Sequence, residues 1–272
     1  MNSLDIGDKN EMQNINVGTK VRTLAVMLLA LTLLVPACKK KPSEESLPGV
    51  SEMQAAEGRD VSGQAAADKA AGQLVPLAIK LPRPMFVGTP QNTRVPNLEK
   101  PLGKLRPPFL APAGTKNVAL GRPVASSDEE PIIGEIELTT DSDKEATDGS
   151  YVELGPFLQN ITIDLGAEHD IYAILIWHFH KQPRVYYDVV VQVADDPDFI
   201  SNVRTLFNND HDNSSGLGVG RDLHYVETSE GKLIDAKGAR ARYVRLYSNG
   251  NTSNDLNHYI EVEVYGKPAP AI

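Results

Sequence analysis

The chain has 272 residues with 27 Lys+Arg against 36 Asp+Glu, a formal net charge of −9, and 41% hydrophobic residues. That is enough for one ordinary domain with extensions, or for two small ones. Its single cysteine, Cys38, excludes a disulfide framework and a thiolate metal cluster. The charge is unevenly spread: residues 39–110 carry 11 Lys+Arg against 7 Asp+Glu, and residues 111–272 carry 13 against 26, a net of −13. A domain that acidic lacks the cations a phosphate backbone demands, so nucleic acid is not an expected partner.

Lys20 and Arg22 precede an uncharged apolar run over residues 23–37. At about 15 residues it is too short to span a hydrocarbon core, which takes about 20. It has the length of a signal-peptide h-region. The run ends on Val35-Pro36-Ala37-Cys38, which resembles a bacterial lipobox, although proline at its second position is unusual. The resemblance implies cleavage before Cys38, lipid on its sulfur, and a bacterial cell-envelope protein anchored outside the cytoplasm by acyl burial. Lys39 after the cysteine resembles lipoproteins passed on to an outer membrane. Residues 1–37 are therefore read as a leader; Met12 is an alternative start to Met1 that leaves an n-region without Asp or Glu.

Residues 38–110 read as a tether. Its first half is rich in Ala, Gly, Glu and Gln and too poor in large apolar residues to build a core. Its second half is Pro-rich, which favours extended backbone and a semi-rigid spacer. Two apolar clusters, Met85-Phe86-Val87 and Phe109-Leu110, are either incidental to the spacer or dock on the domain or a partner.

From residue 111 onward the sequence predicts an all-β domain. Residues 160–165, 171–179, 185–193, 224–227, 242–247 and 259–265 have strand composition bounded by turn residues. Val244 and Leu246 alternate with Tyr243, Arg245 and Tyr247, the period of two of a strand with one buried face. The best helix candidate is a turn or two over residues 196–203, with Asp196 as N-cap and Pro197 at the first position. The expected architecture is an antiparallel sandwich or jelly roll over 111–267, with a short tail over 268–272.

Five motifs occur in an order that resembles discoidin domains, also called coagulation factor V/VIII type C domains. They are Asn117-Val-Ala-Leu-Gly-Arg-Pro-Val-Ala-Ser-Ser127, Ala146-Thr-Asp-Gly149, Ile161-Thr-Ile-Asp-Leu-Gly166, Ala241-Arg-Tyr-Val-Arg-Leu246 and Ile260-Glu-Val-Glu-Val-Tyr-Gly266. The resemblance implies a galactose-binding-like β-sandwich that is non-catalytic and holds sugars, lipids or proteins through loops at one end. It also implies a structural Ca²⁺ between the second motif and the last strand, held by Asp148, Glu261 and backbone carbonyls, with Ser150 as a further oxygen. Calcium's preference for 6–8 oxygen ligands suits such a set. Two features depart from the pattern. The Trp that usually follows the calcium loop is missing, leaving Tyr151 and Phe157 as the nearest rings, and the loop over 248–257 offers Leu256 but no aromatic platform.

Trp177-His-Phe-His180 would set two imidazoles on one strand face, where His178 and His180, with Arg184, could donate hydrogen bonds to a ligand. As a metal pair they would need a third ligand, with His211, His224 and His258 as the candidates. The polar stretch over 208–216 fails the EF-hand pattern, because Ser215 and Arg221 stand where Gly and Glu are needed. It reads as a surface loop whose Asp210 and Asn213, with Arg221, could contact a polyol; Asn251 and His258 complete the candidate ligand set. No G-x-S-x-G or H-E-x-x-H occurs, so no enzyme is expected. The partners expected are a glycan or glycoprotein, or else an envelope protein for which the chain is a scaffold subunit.

Overall fold

The computed structural model describes residues 72–86, 93–147 and 149–270. Cys38, the leader, the tether up to residue 71, and Asp148 lie outside the described residues. The described elements are β1 (Leu74–Pro76), β2 (Leu110–Pro112), β3 (Lys116–Asn117), β4 (Val124–Ser126), a 3-10 turn (Ile136–Thr140), β5 (Val152–Pro156), β6 (Gln159–Trp177), β7 (Val190–Ala194), β8 (Arg204–Asn208), β9 (Lys232–Ser248), β10 (Leu256–Tyr259) and β11 (Glu261–Pro268). All strand pairs are antiparallel.

Two layers arise because β6 and β9 each run through both. The first half of β6 pairs with β4 and with the second half of β9, which passes the sheet on to β7 and β8. The second half of β6 pairs with the first half of β9 and with β11, which carries β3. The register of β6 breaks between Asp164 and His169, where Gly166 takes φ +81°, and β9 bulges further along, at Lys237 and Gly238 opposite Tyr172. Left-handed backbone of this kind favours glycine. Arg242 straddles the Asp164 carboxylate with two 2.8 Å hydrogen bonds and holds the bend.

One core fills the space between the layers. Ile161, Ile163, Leu165, Val191, Val193, Val244 and Leu246 from one face meet Ile174, Ile176, Ile234, Val262 and Val264 from the other. The alternation expected in these strands is present. Truncating any one of the fully buried Ile or Leu residues here costs about 2–5 kcal/mol.

The second layer is buried on both faces. Ala173, Leu175, Trp177 and Tyr265 form a second apolar cluster with Ala146 and Ile260, and Leu77, Ile79 and Phe109 from the Pro-rich segment pack on it. Lys144 and Glu263 lie 2.6 Å apart in this buried zone, with the Tyr265 hydroxyl donating to Glu263 and the Lys144 ammonium donating to the Lys80 carbonyl. Such a pair survives burial only because each charge is further hydrogen-bonded.

The Pro-rich segment is therefore an arm of the fold and not only a spacer. β1 pairs with β2 across the boundary expected at residue 111, and Leu77 donates to the Phe109 carbonyl. The Arg106 guanidinium donates to the carbonyls of Glu230 and Gly231 at 2.8 Å each. Lys232 pairs with Glu99 at 2.8 Å, and Leu98 forms a bridge to His224. The basic arm lies on an acidic domain, so the charge asymmetry read from the sequence becomes attraction between two parts of one chain. Of the apolar clusters, Phe109 docks while Met85 and Leu110 stay more than half exposed.

The predicted helix over 196–203 is absent. The Asp196 carboxylate instead takes the amides of Asp198, Ile200 and Ser201, and Phe199 and Asn202 have positive φ, which ends helical geometry at once. The strand expected over 185–193 is confined to Val190–Ala194, and β11 runs to Pro268, three residues past the strand end expected at 265 and one past the domain end expected at 267.

Candidate functional site

The connection over 178–189 and the strands β5 and β10 bring most of the candidate groups together. β6 ends at Trp177, so His178 and His180 fall outside the strand and share no face. Both are buried, and each is committed to a different partner. His178 Nδ1–H donates to Glu227 at 2.6 Å and its ring stacks on Tyr186 at 4.3 Å; His180 Nε2–H donates to the Lys144 carbonyl at 2.8 Å. The two imidazoles are interior groups, not a ligand-facing or metal-binding pair. Among the described residues, the one group of carboxylates or imidazoles close enough to share an ion contains no histidine.

Arg184 and His258 do converge. The β10–β5 register sets His258 opposite Glu153, and His258 Nε2 lies 2.9 Å from the Glu153 carboxylate. Arg184 Nη1 lies 3.3 Å from the same nitrogen, and the guanidinium stacks over Phe179 at 4.5 Å. Tyr151 meets Phe179 edge-on at 5.3 Å. Burial, then the Arg184 charge, then His178 push the His258 imidazole down to about 3, so it is neutral at physiological pH. Burial also raises the Glu153 carboxyl, against the pull of Arg184. Tyr151, Glu153, Phe179 and Arg184 are all partly exposed. The patch thus offers two ring faces, a guanidinium and a carboxylate within one small area.

The remaining candidates are built into loops. The buried Asp210 carboxylate takes the amides of Ser214 and Ser215 and the Ser215 hydroxyl. Burial opposes its ionisation, but these bonds prevail and hold it below the usual carboxylate range. Asn213 takes the Gly218 amide at 2.6 Å, and Asn251 spends its side chain on Ser253, Asn254 and Leu256. These three residues shape loops. Arg221 is exposed, in a different loop from the Arg184 patch.

Glu261 opens β11 fully buried. Its Oε2 takes the Ser142 amide at 2.9 Å, while Oε1 is buried with no hydrogen-bond partner. Burial is the largest cause lifting its carboxyl to about 9. A buried carboxyl oxygen without a partner, beside the acid-rich stretch 141–145, fits a hard cation, which would displace the proton. Ser150 closes a turn with Thr147, their hydroxyls 3.0 Å apart. Asp148 lies outside the described residues.

Glu153 and Phe179 escaped the sequence reading. Glu153 sits between Val152 and Leu154 in plain alternation, and nothing local marks it as the partner of a histidine over a hundred positions on. The loop over 248–257 carries no ring, and the two rings of this patch, Tyr151 and Phe179, come from two other connections.

Four of the five discoidin-like motifs fall on strands, at β3–β4, β6, β9 and β11, in an antiparallel β-sandwich of discoidin-like fold. No family model and no curated protein matches the chain. Among solved structures it is similar to the CBM32 of AlyQ in complex with 4,5-unsaturated mannuronic acid, at 17% identity over 52% of this chain and 92% of that one, TM-score 0.38. A chitosan-binding module from a Paenibacillus sp. IK-5 chitosanase/glucanase is 19% identical over 56% of this chain and 99% of that one, TM-score 0.39. A Clostridium perfringens family 89 glycoside hydrolase in complex with its substrate is 20% identical, covering 57% of this chain and only 16% of that one, TM-score 0.42.

Proposed function

We propose that this chain is a non-catalytic, lipid-anchored module outside the cytoplasm that binds carbohydrate, free or on a glycoprotein. The observation that carries the reading is the patch of Tyr151, Phe179, Arg184 and Glu153. Sugars present an apolar C–H face and a ring of hydroxyls, and this patch pairs aromatic faces with a fixed donor and a fixed acceptor. The lipobox-like sequence at Cys38 supports the anchor, and the discoidin-like sandwich supports a binding role. Glu261, with Asp148 and loop carbonyls, would hold a structural Ca²⁺ that ties the 141–150 stretch to β11.

A glycan array probed with the full chain, with and without calcium, tests the reading. Binding is expected, with Arg184→Ala and Phe179→Ala each weakening it at least ten-fold; an array without hits overturns it. A second reading, a scaffold subunit for an envelope protein, is favoured by Met85, Leu102 and Leu105. They are 60%, 63% and 75% exposed on the arm, and Leu102 and Leu105 line a cavity of about 650 Å³ together with Arg106 and Tyr225. A reproducible protein partner lost on deletion of residues 85–109 would support it.

A further inference from the structure

A second cavity, of about 450 Å³, opens where the arm crosses the loops of the sandwich. Thr93, Arg94 and Val95 form one wall; Tyr187, Thr252 and Ser253 form the other, with Pro183 beside them. Its volume is within the range of about 300–1,000 Å³ typical of small-ligand sites. Both walls are fixed. His224 donates its amide to the Asn97 carbonyl and accepts from the Glu99 amide, which pins the arm just beyond Val95. Tyr187 exchanges backbone bonds with Asn249 and Gly250, and Thr252 donates its amide to the Val185 carbonyl while its hydroxyl accepts from the Val185 amide.

The only charge in the lining is positive. Three hydroxyls, a phenol and a guanidinium face the space, and no carboxylate lines it. The hydroxyls both donate and accept, so they suit the hydroxyls of any sugar and do not select for charge. Here the strongest group is a permanently charged donor fork that matches a carboxylate or sulfate. Arg94 is exposed and has no hydrogen bond or ion pair among the described residues, although the domain beneath it carries twice as many acids as bases. A cation left unpaired over so acidic a surface is available to an incoming anion.

We propose that this cavity is a subsite for an acidic sugar, a uronate or a sulfate ester, with Arg94 holding the anionic group and Tyr187, Thr252 and Ser253 the hydroxyls. The proposal rests on the glycan-binding reading but uses none of the residues of the Arg184 patch. It also makes the arm part of the binding site, so a fragment beginning at residue 111 would lack Arg94.

The test is titration calorimetry on the full chain with three probes: tetragalacturonate, its methyl ester, and a sulfated tetrasaccharide. Tetragalacturonate is expected to bind at least ten-fold tighter than its ester, which differs only in charge, and to weaken as salt rises. Arg94→Ala is expected to erase that preference while leaving Trp177 fluorescence and neutral-glycan binding unchanged, because Arg94 supports no contact in the fold. A sulfated probe that depends on Arg94 more than the uronate does supports the site and names sulfate as its anion. Equal binding of acid and ester, or a preference that survives Arg94→Ala, overturns the subsite and leaves the Arg184 patch standing. Absence of binding by every probe and by the neutral glycans overturns both.

Discussion

Phe109→Ala tests whether the arm belongs to the fold. Phe109 is half-buried against the cluster that contains Trp177, the only tryptophan in the chain. A phenylalanine buries about 150–250 Å² in full, so about 100 Å² is hidden here, worth about 2.5 kcal/mol at 25 cal/mol per Å². For a folded unit of this size that is a fall in Tm of about 5–10 °C. Trp177 is fully buried, donates its indole N–H to the Ser229 carbonyl, and has the Lys144 ammonium over its ring. Loosening the arm should admit water to it. The assay is thermal unfolding followed by tryptophan emission, with iodide quenching at 25 °C. The expected result is a lower Tm, red-shifted emission and a quenching constant that rises toward that of an exposed indole. A variant within about 0.5 kcal/mol of wild type, with unchanged emission and quenching, would refute the claim that the arm is packed.

Gly231→Ala should be severe, since a Cβ at φ +62° would come within 2.7 Å of the Trp177 ring and 2.8 Å of the Ile176 carbonyl; a loss of about 3 kcal/mol or more in urea unfolding is expected, from the left-handed backbone and the clash together. Calcium should raise Tm, by about 2.7 kcal/mol in stability at 100 times Kd, and Glu261→Gln should remove most of that response. With chelator present, Glu261 binds its proton in the folded state up to about 9 but only to about 4.5 when unfolded, so stability should fall as pH rises between those values; Glu261→Gln should lack that slope. His258 has the opposite dependence: held neutral down to about 3, it stabilises the fold above its ordinary value of 6.5 and costs stability as pH falls from 6.5 toward 3, a decline that His258→Gln should flatten in acid titrations followed by circular dichroism.

How much of this was legible depends on the range of the interaction. The alternation at Ile161-Thr-Ile-Asp-Leu and at Tyr243–Tyr247 is written in neighbouring residues, and those strands stand where the pattern put them. The first half of β9 was not among the expected strands; its strand character comes from pairing with the buried end of β6. His178 and His180 misled because a spacing of two implies a shared face only while the strand lasts, and the chain leaves the strand at Trp177. Their true partners, Glu227 and the Lys144 carbonyl, are 49 and 36 positions away. Docking of the arm was left open for the same reason: proline spacing reports backbone stiffness, whereas docking is decided by Arg106 meeting carbonyls more than 120 positions on.

Because β6 and β9 stay hydrogen-bonded to each other on both sides of their bend, neither layer can open without tearing strands that also belong to the other. Amide protons of Ile163 in one layer and Ile174 in the other should therefore exchange with solvent at the same slow rate, set by unfolding of the whole domain. The connections at the end of the sandwich, which own no through-running strand, are then free to exchange much faster. The frame would behave as a single cooperative unit carrying independently mobile edges, an arrangement that lets the connecting loops adjust without cost to the fold beneath them.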